Sequence, residues 1–149
     1  MKQSVFVALS AILLGTTSCS TMKTARYLTD YSELASYDHI AMAKFIPRNN
    51  NMDPLVLNIK HTLATYFEEV PHDSLDVLVS RGVRIMSPRI GAASAREKKG
   101  ETTVKISFDD YVSGRQIAEM TIVANGKETK DEHARVMKEL NDILSKVCH

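Results

Sequence analysis

One stretch of this chain alternates apolar and polar residues with the period of a β-strand, turns, and then alternates again. The stretch "TTVKISFDDYVSGRQIAEMTIVANG" covers residues 102–126, and the Ser113-Gly114 pair in its middle is typical of a turn. Successive side chains of a strand point to opposite faces, so each half must bury one face against a core. The pattern predicts a β-hairpin with strands at 103–111 and 116–124, ended by Asn125-Gly126. The apolar positions of the first strand are Val104, Ile106 and Phe108.

Two amphipathic helices are predicted to supply that core. Residues 53–70 and 130–147 both carry apolar residues at helical spacing, with charged residues between them. The Thr129-x-x-Glu132 motif has the spacing of a capping box at the start of the second helix. Leu63 and Leu140 lie within the two apolar stripes, so we expect both side chains to be buried.

The remaining part of the domain is predicted to contain two further strands. Residues 38–45 are interpreted as the first strand, and residues 75–86, "LDVLVSRGVRIM", as a strand with a bulge or bend at Gly82. Residues 87–101 are small, polar and basic, and are predicted to form an exposed loop. The predicted fold class is α+β, a two-layer sandwich of about four mostly antiparallel strands with two helices on one face, in the order β-α-β-β-β-α. The first helix is expected to connect the first strand to a parallel neighbour.

The first 18 residues have the order of a secretory signal peptide. A short positive region at Met1-Lys2 precedes an uncharged apolar run at 5–14, and small residues fill 15–18. The apolar run is too short to span a membrane, which requires roughly 20 apolar residues. The sequence therefore predicts a signal peptide at 1–18.

Cys19 directly follows the small residues and resembles the modified cysteine of bacterial lipoproteins. Thr17 and Ser18 match the small positions of the lipobox, whereas Thr16 stands where that family prefers leucine. The resemblance implies that the Cys19 thiol carries diacylglycerol and that the chain is cut just before it. It also implies a fatty acyl group, such as palmitate, on the new N-terminus.

The two cysteines leave further interpretations open. A disulfide between Cys19 and Cys148 is compatible with an oxidising compartment, and a free thiol in a removed peptide is the third alternative for Cys19. Acylation would consume the sulfur of Cys19 and leave Cys148 as a half-buried thiol, which we favour, or as an intermolecular bridge. Residues 19–37 show no strong periodicity and are interpreted as a lipid-anchored tether before a single α/β domain at 38–149.

The charge balance argues against a nucleic-acid partner. Removal of the signal peptide takes away one of the 19 basic residues, Lys2, and none of the 18 acidic ones, so the formal net charge becomes zero. Nucleic-acid binding requires a basic face, and anionic lipid requires a polybasic cluster that Lys23 and Arg26 do not make. Ser20 follows Cys19 without an acidic cluster, which by resemblance to lipoprotein sorting signals favours the periplasmic face of the outer membrane.

No arrangement of reactive residues predicts a catalytic, cofactor or metal site. The five histidines do not fall at metal-ligand spacing, and the chain has neither a phosphate-binding glycine loop nor G-x-S-x-G. Asp109 and Asp110 are adjacent, so in a strand their carboxylates would face opposite sides. Four arginines fall within sixteen residues that contain no acid, and they are interpreted as a soluble rim, with contact to an acidic partner as the alternative. These are Arg81, Arg84, Arg89 and Arg96.

The layout of the whole chain resembles a group of small bacterial envelope lipoproteins of unknown function. The resemblance rests on "YDHIAMAKF" after the anchor, on "GAASAREKKGE", and on the "VKISFDDYVSGRQIAE" hairpin before a last helix. The layout is more distantly similar to the amino-terminal domain of TolB and to the lipoprotein LpoB, which act as adaptors. The resemblance implies a non-enzymatic binding, adaptor or assembly role with an envelope protein as partner. An enzyme acting on cell-envelope material and a homo-oligomeric structural subunit are the two alternatives.

Overall fold

The computed structural model describes residues 24–28, 30–42, 54–94 and 100–148 of the chain. The side chains of 24–28 and 92–94 are outside this description. The predicted signal peptide at 1–18 and the predicted lipidation site Cys19 also lie outside the described residues.

A six-stranded sheet forms the centre of the fold, in the spatial order β1-β6-β5-β4-β2-β3. β4, β5, β6 and β1 pair antiparallel, whereas β2 pairs parallel with both β3 and β4. The strands are β1 (Thr24–Leu28), β2 (His39–Ile40), β3 (Glu68–Glu69), β4 (Ile85–Ser94), β5 (Glu101–Asp110) and β6 (Gln116–Asn125). The predicted hairpin is confirmed as β5 and β6. The first strand does have parallel neighbours, β3 and β4, but β3 lies at the end of the segment 53–70 that was predicted to be helical throughout.

Two long helices cover one face of this sheet and confirm the predicted α+β sandwich. The helices are α1 (Pro54–Tyr66), α2 (Leu75–Ser80) and α3 (Thr129–Val147). α3 lies over β1, β5 and β6, and α1 lies over β3 and β4 and contacts α3. Leu63 and Leu140 are fully buried, as their positions in the apolar stripes predict. The core between the layers also contains Ile59, Val104, Ile106, Phe108, Met120, Ile122, Val136 and Leu144.

The predictions for residues 75–84 and 87–94 are wrong, whereas residues 85 and 86, predicted as strand, do begin β4. Residues 75–80 form the short helix α2. Gly82, at φ +77°, ends this helix instead of forming a β-bulge in a strand. The Gly82 amide donates to the Val79 carbonyl (3.0 Å) and the Val83 amide to the Leu78 carbonyl (3.0 Å), the bonds of a Schellman motif. Residues 87–94 of the predicted loop belong to strand β4, which pairs with β5 from Met86 opposite Asp110 to Ser94 opposite Thr102; residues 95–99 lie outside the described part of the chain.

The domain also begins earlier than predicted. Residues 24–28 of the predicted tether form the edge strand β1, and Leu34 and Tyr37 are buried in the main core. The boundary at residue 38 was therefore wrong, because β6 offers a free edge that this segment pairs with. The predicted first strand at 38–45 is confirmed only as His39–Ile40, and residues 43–45 lie outside the described part of the chain.

The predicted capping box is absent from the start of α3. Glu128 is the N-cap residue and its side chain makes no capping hydrogen bond. The Glu132 carboxylate is buried instead and accepts a hydrogen bond from the Thr102 hydroxyl at 2.5 Å. The Thr102 hydroxyl on β5 therefore takes the place of the N-cap backbone amide as the donor to Glu132. This hydrogen bond joins the first turn of α3 to the sheet.

Candidate functional site

The candidate site is the central part of the sheet face opposite α1 and α3, here called the uncovered face. It consists of Arg89, Gly91, Lys105, Ser107, Asp109, Gln116 and Glu119. Because Val104, Ile106 and Phe108 point into the core, the alternate residues of β5 point away from it. α2 covers only one corner of this side, where Leu75 packs with Ala41, Val70 and Ile85 in a second, smaller cluster.

Two cross-strand ion pairs organise the uncovered face. The Arg89 guanidinium donates to both carboxylate oxygens of Asp109, at 2.6 and 3.2 Å. Lys105 Nζ lies 3.1 Å from Glu119 Oε1. Both pairs join diagonal neighbours on adjacent strands, a spacing that long side chains can bridge. The uncovered face is therefore charged but locally neutral.

Glu119 is the most connected residue of the uncovered face. Its second carboxylate oxygen accepts hydrogen bonds from Ser107 (3.1 Å) and Gln116 (3.5 Å). The hydrogen bond from Lys105 is the main reason why the pKa of Glu119 lies below its usual range. Glu119 is therefore held ionised as a structural acceptor across two strands.

A shallow cleft of about 590 Å³ lies over these residues. The floor of the cleft is low at Gly91, which has no side chain to fill it. A Cβ added there would contact only the Lys105 carbonyl oxygen, at 3.9 Å. The surrounding side chains offer guanidinium, ammonium, amide and carboxylate groups, and the charged ones are already paired within the chain. A partner can bind here by replacing hydrogen bonds within the chain with hydrogen bonds to its own groups. It does not need to carry a net charge, because the face has no excess of one charge.

A second polar cluster, here called the hairpin network, lies where the turn between β5 and β6 meets the segment before β2. It consists of Glu33, Tyr37, Arg84, Asp110 and Arg115. The Glu33 carboxylate accepts from Arg115 through both oxygens, one of them at 3.0 Å, and from Arg84 at 3.3 Å. The hydrogen bond from Arg115 holds the pKa of Glu33 below its ordinary value, and the same contact raises the pKa of Arg115.

Tyr37 and Asp110 form the buried half of the hairpin network. The Tyr37 hydroxyl donates to Asp110 at 2.7 Å, and the Arg84 guanidinium lies 4.3 Å from the centre of the Tyr37 ring. The other oxygen of Asp110 accepts from the backbone amides of Val112 and Ser113, and the Ser113 amide is the main cause of the lowered pKa of Asp110. Burial raises the pKa of Tyr37. The network fastens residues 30–37 to the hairpin, which sequence reasoning missed because Glu33 and Arg115 are 82 residues apart.

The arginines singled out from the sequence do not share one site. Arg84 belongs to the hairpin network and Arg89 to the uncovered face, Arg81 lies at the end of α2, and Arg96 lies outside the described residues. Asp109 and Asp110 do face opposite ways, as predicted, since one pairs with Arg89 and the other with Tyr37.

Cys148 is partly buried beside the main core, and within the described ranges its thiol is bonded to no other residue. Burial raises the pKa of this thiol, which keeps it protonated and less reactive at neutral pH. The alternative disulfide between Cys19 and Cys148 stays a prediction, since Cys19 lies outside the described residues.

Two smaller clefts, of about 390 and 300 Å³, share Glu69, Val70 and Pro71 at the β3 edge. His61 and His72 line the larger of these, and both are exposed. Across the described ranges, no three His, Cys, Asp or Glu side chains are grouped so that they could hold a metal ion. No helix in the same ranges is long and apolar enough to cross a membrane.

Comparison with known proteins supports the fold. No protein-family model matches the sequence, and no curated protein matches it significantly. The structure is similar to a PelC dodecamer from Paraburkholderia phytofirmans, with a TM-score of 0.50 and 13% identity over 85% of this chain and 98% of that one. A dodecamer of a PelC point variant from the same organism matches with a TM-score of 0.48 and 13% identity, over 85% and 99% of the two chains. At this identity the likeness shows the fold alone.

Proposed function

We propose that this chain is a lipid-anchored envelope protein with a non-enzymatic binding or assembly role, and that the uncovered face is its contact surface. The observation that carries the proposal is a sheet face of three long strands, open to a partner and lined by the paired charges of Arg89, Asp109, Lys105 and Glu119. The lipobox-like sequence at Cys19 supports the anchor.

The size of the uncovered face limits what it can bind alone. Three strands of about ten residues, with a rise of about 3.4 Å per residue and a spacing of about 4.8 Å, give a projected area of roughly 500 Å². A stable protein interface buries about 800 Å² on each partner. Because the accessible area of an uneven surface exceeds its projected area, the two values are of the same order, and we infer that a stable contact uses the whole width of the three strands.

Assembly with further copies of this chain is the second candidate. The PelC structure that shares this fold is described as a dodecamer, which is compatible with a homo-oligomeric role here. The two edges of the sheet, at β1 and β3, have different sequences and lie at opposite ends of the strand order. A contact between unlike edges is heterologous, and such contacts form rings when the rotation closes.

Photocrosslinking in the native envelope tests the contact surface. A benzophenone amino acid replaces Gln116 on the uncovered face, and the matched control replaces Lys138, which is exposed on α3. We expect a crosslinked partner, identified by mass spectrometry, from position 116 only. A crosslink to a second copy supports assembly. Equal crosslinking at both positions, or crosslinking only at 138, would show that the partner binds elsewhere.

Intact-mass analysis of the membrane fraction tests the anchor. We expect the mass of a chain that begins at Cys19 and carries diacylglycerol and a further acyl group. The Cys19→Ser variant is the control and should appear as a soluble or unprocessed form. A membrane-bound chain without the lipid mass would contradict the proposed anchor.

A further inference from the structure

We propose that the end of the sheet formed by residues 100–101 and 125–130 faces the lipid surface, and that the turn between β5 and β6 points away from the membrane. The end formed by residues 100–101 and 125–130 is here called the proximal end, and the turn at 111–115 is called the distal end. The inference rests on the proposed lipid anchor at Cys19 and adds the orientation of the domain to it.

The pairing of β1 with β6 decides which end lies near the anchor. Thr24 is opposite Ala124 and Leu28 is opposite Met120, so the chain enters the sheet beside the last residues of β6 and runs towards its first ones. β5 begins at the same end, where the Gly126 amide donates to the Gly100 carbonyl at 2.9 Å. The N-terminus of α3 also lies there, because Thr129 follows directly.

The chain between Cys19 and the sheet is short. Five residue steps separate Cys19 from Thr24, and a fully extended chain spans at most about 3.6 Å per residue, so the reach is about 18 Å. The distal end lies nine residues further along β6, which is about 30 Å at 3.4 Å per residue. The proximal end is therefore held near the lipid in every orientation, whereas the distal end meets it only if the domain lies on its side.

The uncovered face does not favour lying on the side, and the large exposed apolar residues on α1 and α2 are the single side chains Leu57 and Val77. The charged residues of the uncovered face are paired, and the chain without its signal peptide has a formal net charge of zero. The exposed lysines of the proximal end, Lys127 and Lys130, are accompanied by Glu128 and Asp131, so its contact with lipid does not depend on anionic headgroups.

The distal end carries two of the large exposed apolar side chains. Val112 is 68% exposed and Tyr31 is 41% exposed. Tyr31 is near the turn because the neighbouring Glu33 is ion-paired with Arg115. The orientation presents these two side chains away from the bilayer.

Quenching by lipid headgroups tests this orientation on the full acylated chain. Lys127→Cys and Val112→Cys, each in a Cys148→Ser background, place a bimane label at an exposed position of the proximal or the distal end. The proteins are reconstituted into phosphatidylethanolamine and phosphatidylglycerol vesicles that contain a lipid with a nitroxide headgroup. We expect at least threefold stronger quenching at position 127 than at position 112, and an unchanged ratio when phosphatidylglycerol is omitted.

The outcomes separate this inference from the anchor itself. Equal quenching at the two positions, or stronger quenching at position 112, in protein that is acylated and vesicle-bound would overturn the orientation alone. Protein that carries no lipid mass and does not bind vesicles would overturn the anchor and the orientation together. The same labels in detergent micelles without nitroxide lipid control for differences between the two sites.

Discussion

Leu140 offers a direct test of how α3 packs on the sheet. Its side chain is fully buried between the helix layer and the strands, together with Ile106, Met120 and Val136. Leu140→Ala removes three carbon atoms, which lowers the transfer free energy by about 2.4 kcal/mol at about 0.8 kcal/mol per carbon. A residual cavity of roughly 50–100 Å³ adds about 1–2.5 kcal/mol at about 24 cal/mol per Å³. We therefore expect the free energy of unfolding to fall by about 3.5–5 kcal/mol.

Urea unfolding followed by circular dichroism measures this loss. A slope of about 1–3 kcal/mol per molar urea converts the expected loss into a midpoint that falls by at least about 1 M. Leu57→Ala is the matched control, because Leu57 lies on α1 but is 47% exposed, and we expect it to cost less than about 1 kcal/mol. A loss below about 1 kcal/mol at Leu140, or equal losses at both positions, would refute the proposed packing of α3.

Four further predictions follow from the contacts. Gly82→Ala should lower the free energy of unfolding by about 1–2 kcal/mol, because φ is +77° there. Gly91→Ala should leave it nearly unchanged, because the added Cβ meets only one atom at an ordinary contact distance. Comparison of the denaturant midpoints of the two variants tests this difference. The carboxyls of Glu33 and Asp110 have lowered pKa values in the folded chain. Their contribution to stability is therefore present above the unfolded pKa values near 4 and is lost as the pH falls through the folded ones. The Glu33→Gln/Asp110→Asn variant should lose less stability than the original chain between pH 6 and pH 3. Lys105→Glu should lower the free energy of unfolding, because it places two carboxylates together. Addition of Glu119→Lys should recover only part of this loss, because it restores the ion pair but cannot accept the hydrogen bonds from Ser107 and Gln116; equal stability of the single and double variants would contradict this. Cys148 should give no dimer band on a non-reducing gel of the Cys19→Ser chain, and a band that Cys148→Ala removes would favour the intermolecular bridge.

Local periodicity was sufficient for the elements that bury one regular face. β5, β6, α1 and α3 were predicted within a few residues because their apolar side chains recur at two or at three to four residues. The same argument failed at α2, where a run of six residues, "LDVLVS", satisfies both periods. The hydrogen bonds at Gly82 decide between them, since the amides of Gly82 and Val83 donate back to Val79 and Leu78 and so end a helix.

The candidate site was only partly accessible from the sequence. The opposite directions of Asp109 and Asp110 follow from strand geometry alone, and they were predicted correctly. The partners of these residues were not predictable, because Arg89 lies on a segment interpreted as a loop and Tyr37 on a segment interpreted as a tether. Ion pairs between distant parts of a chain depend on which strands become neighbours, and local pattern does not carry that information.

The sequence by itself determined an α+β fold with one hairpin and two long helices on one face, because burial of apolar surface acts through the local order of side chains. Only the tertiary structure decided that residues 24–28 and 85–94 are strands, since their backbone amides and carbonyls find partners on β6 and β5. Unpaired backbone groups are costly to bury, so a free strand edge recruits segments that have weak strand patterns of their own. The same pairing brings the N-terminal segment to one end of the sheet, and with it the proposed lipid anchor.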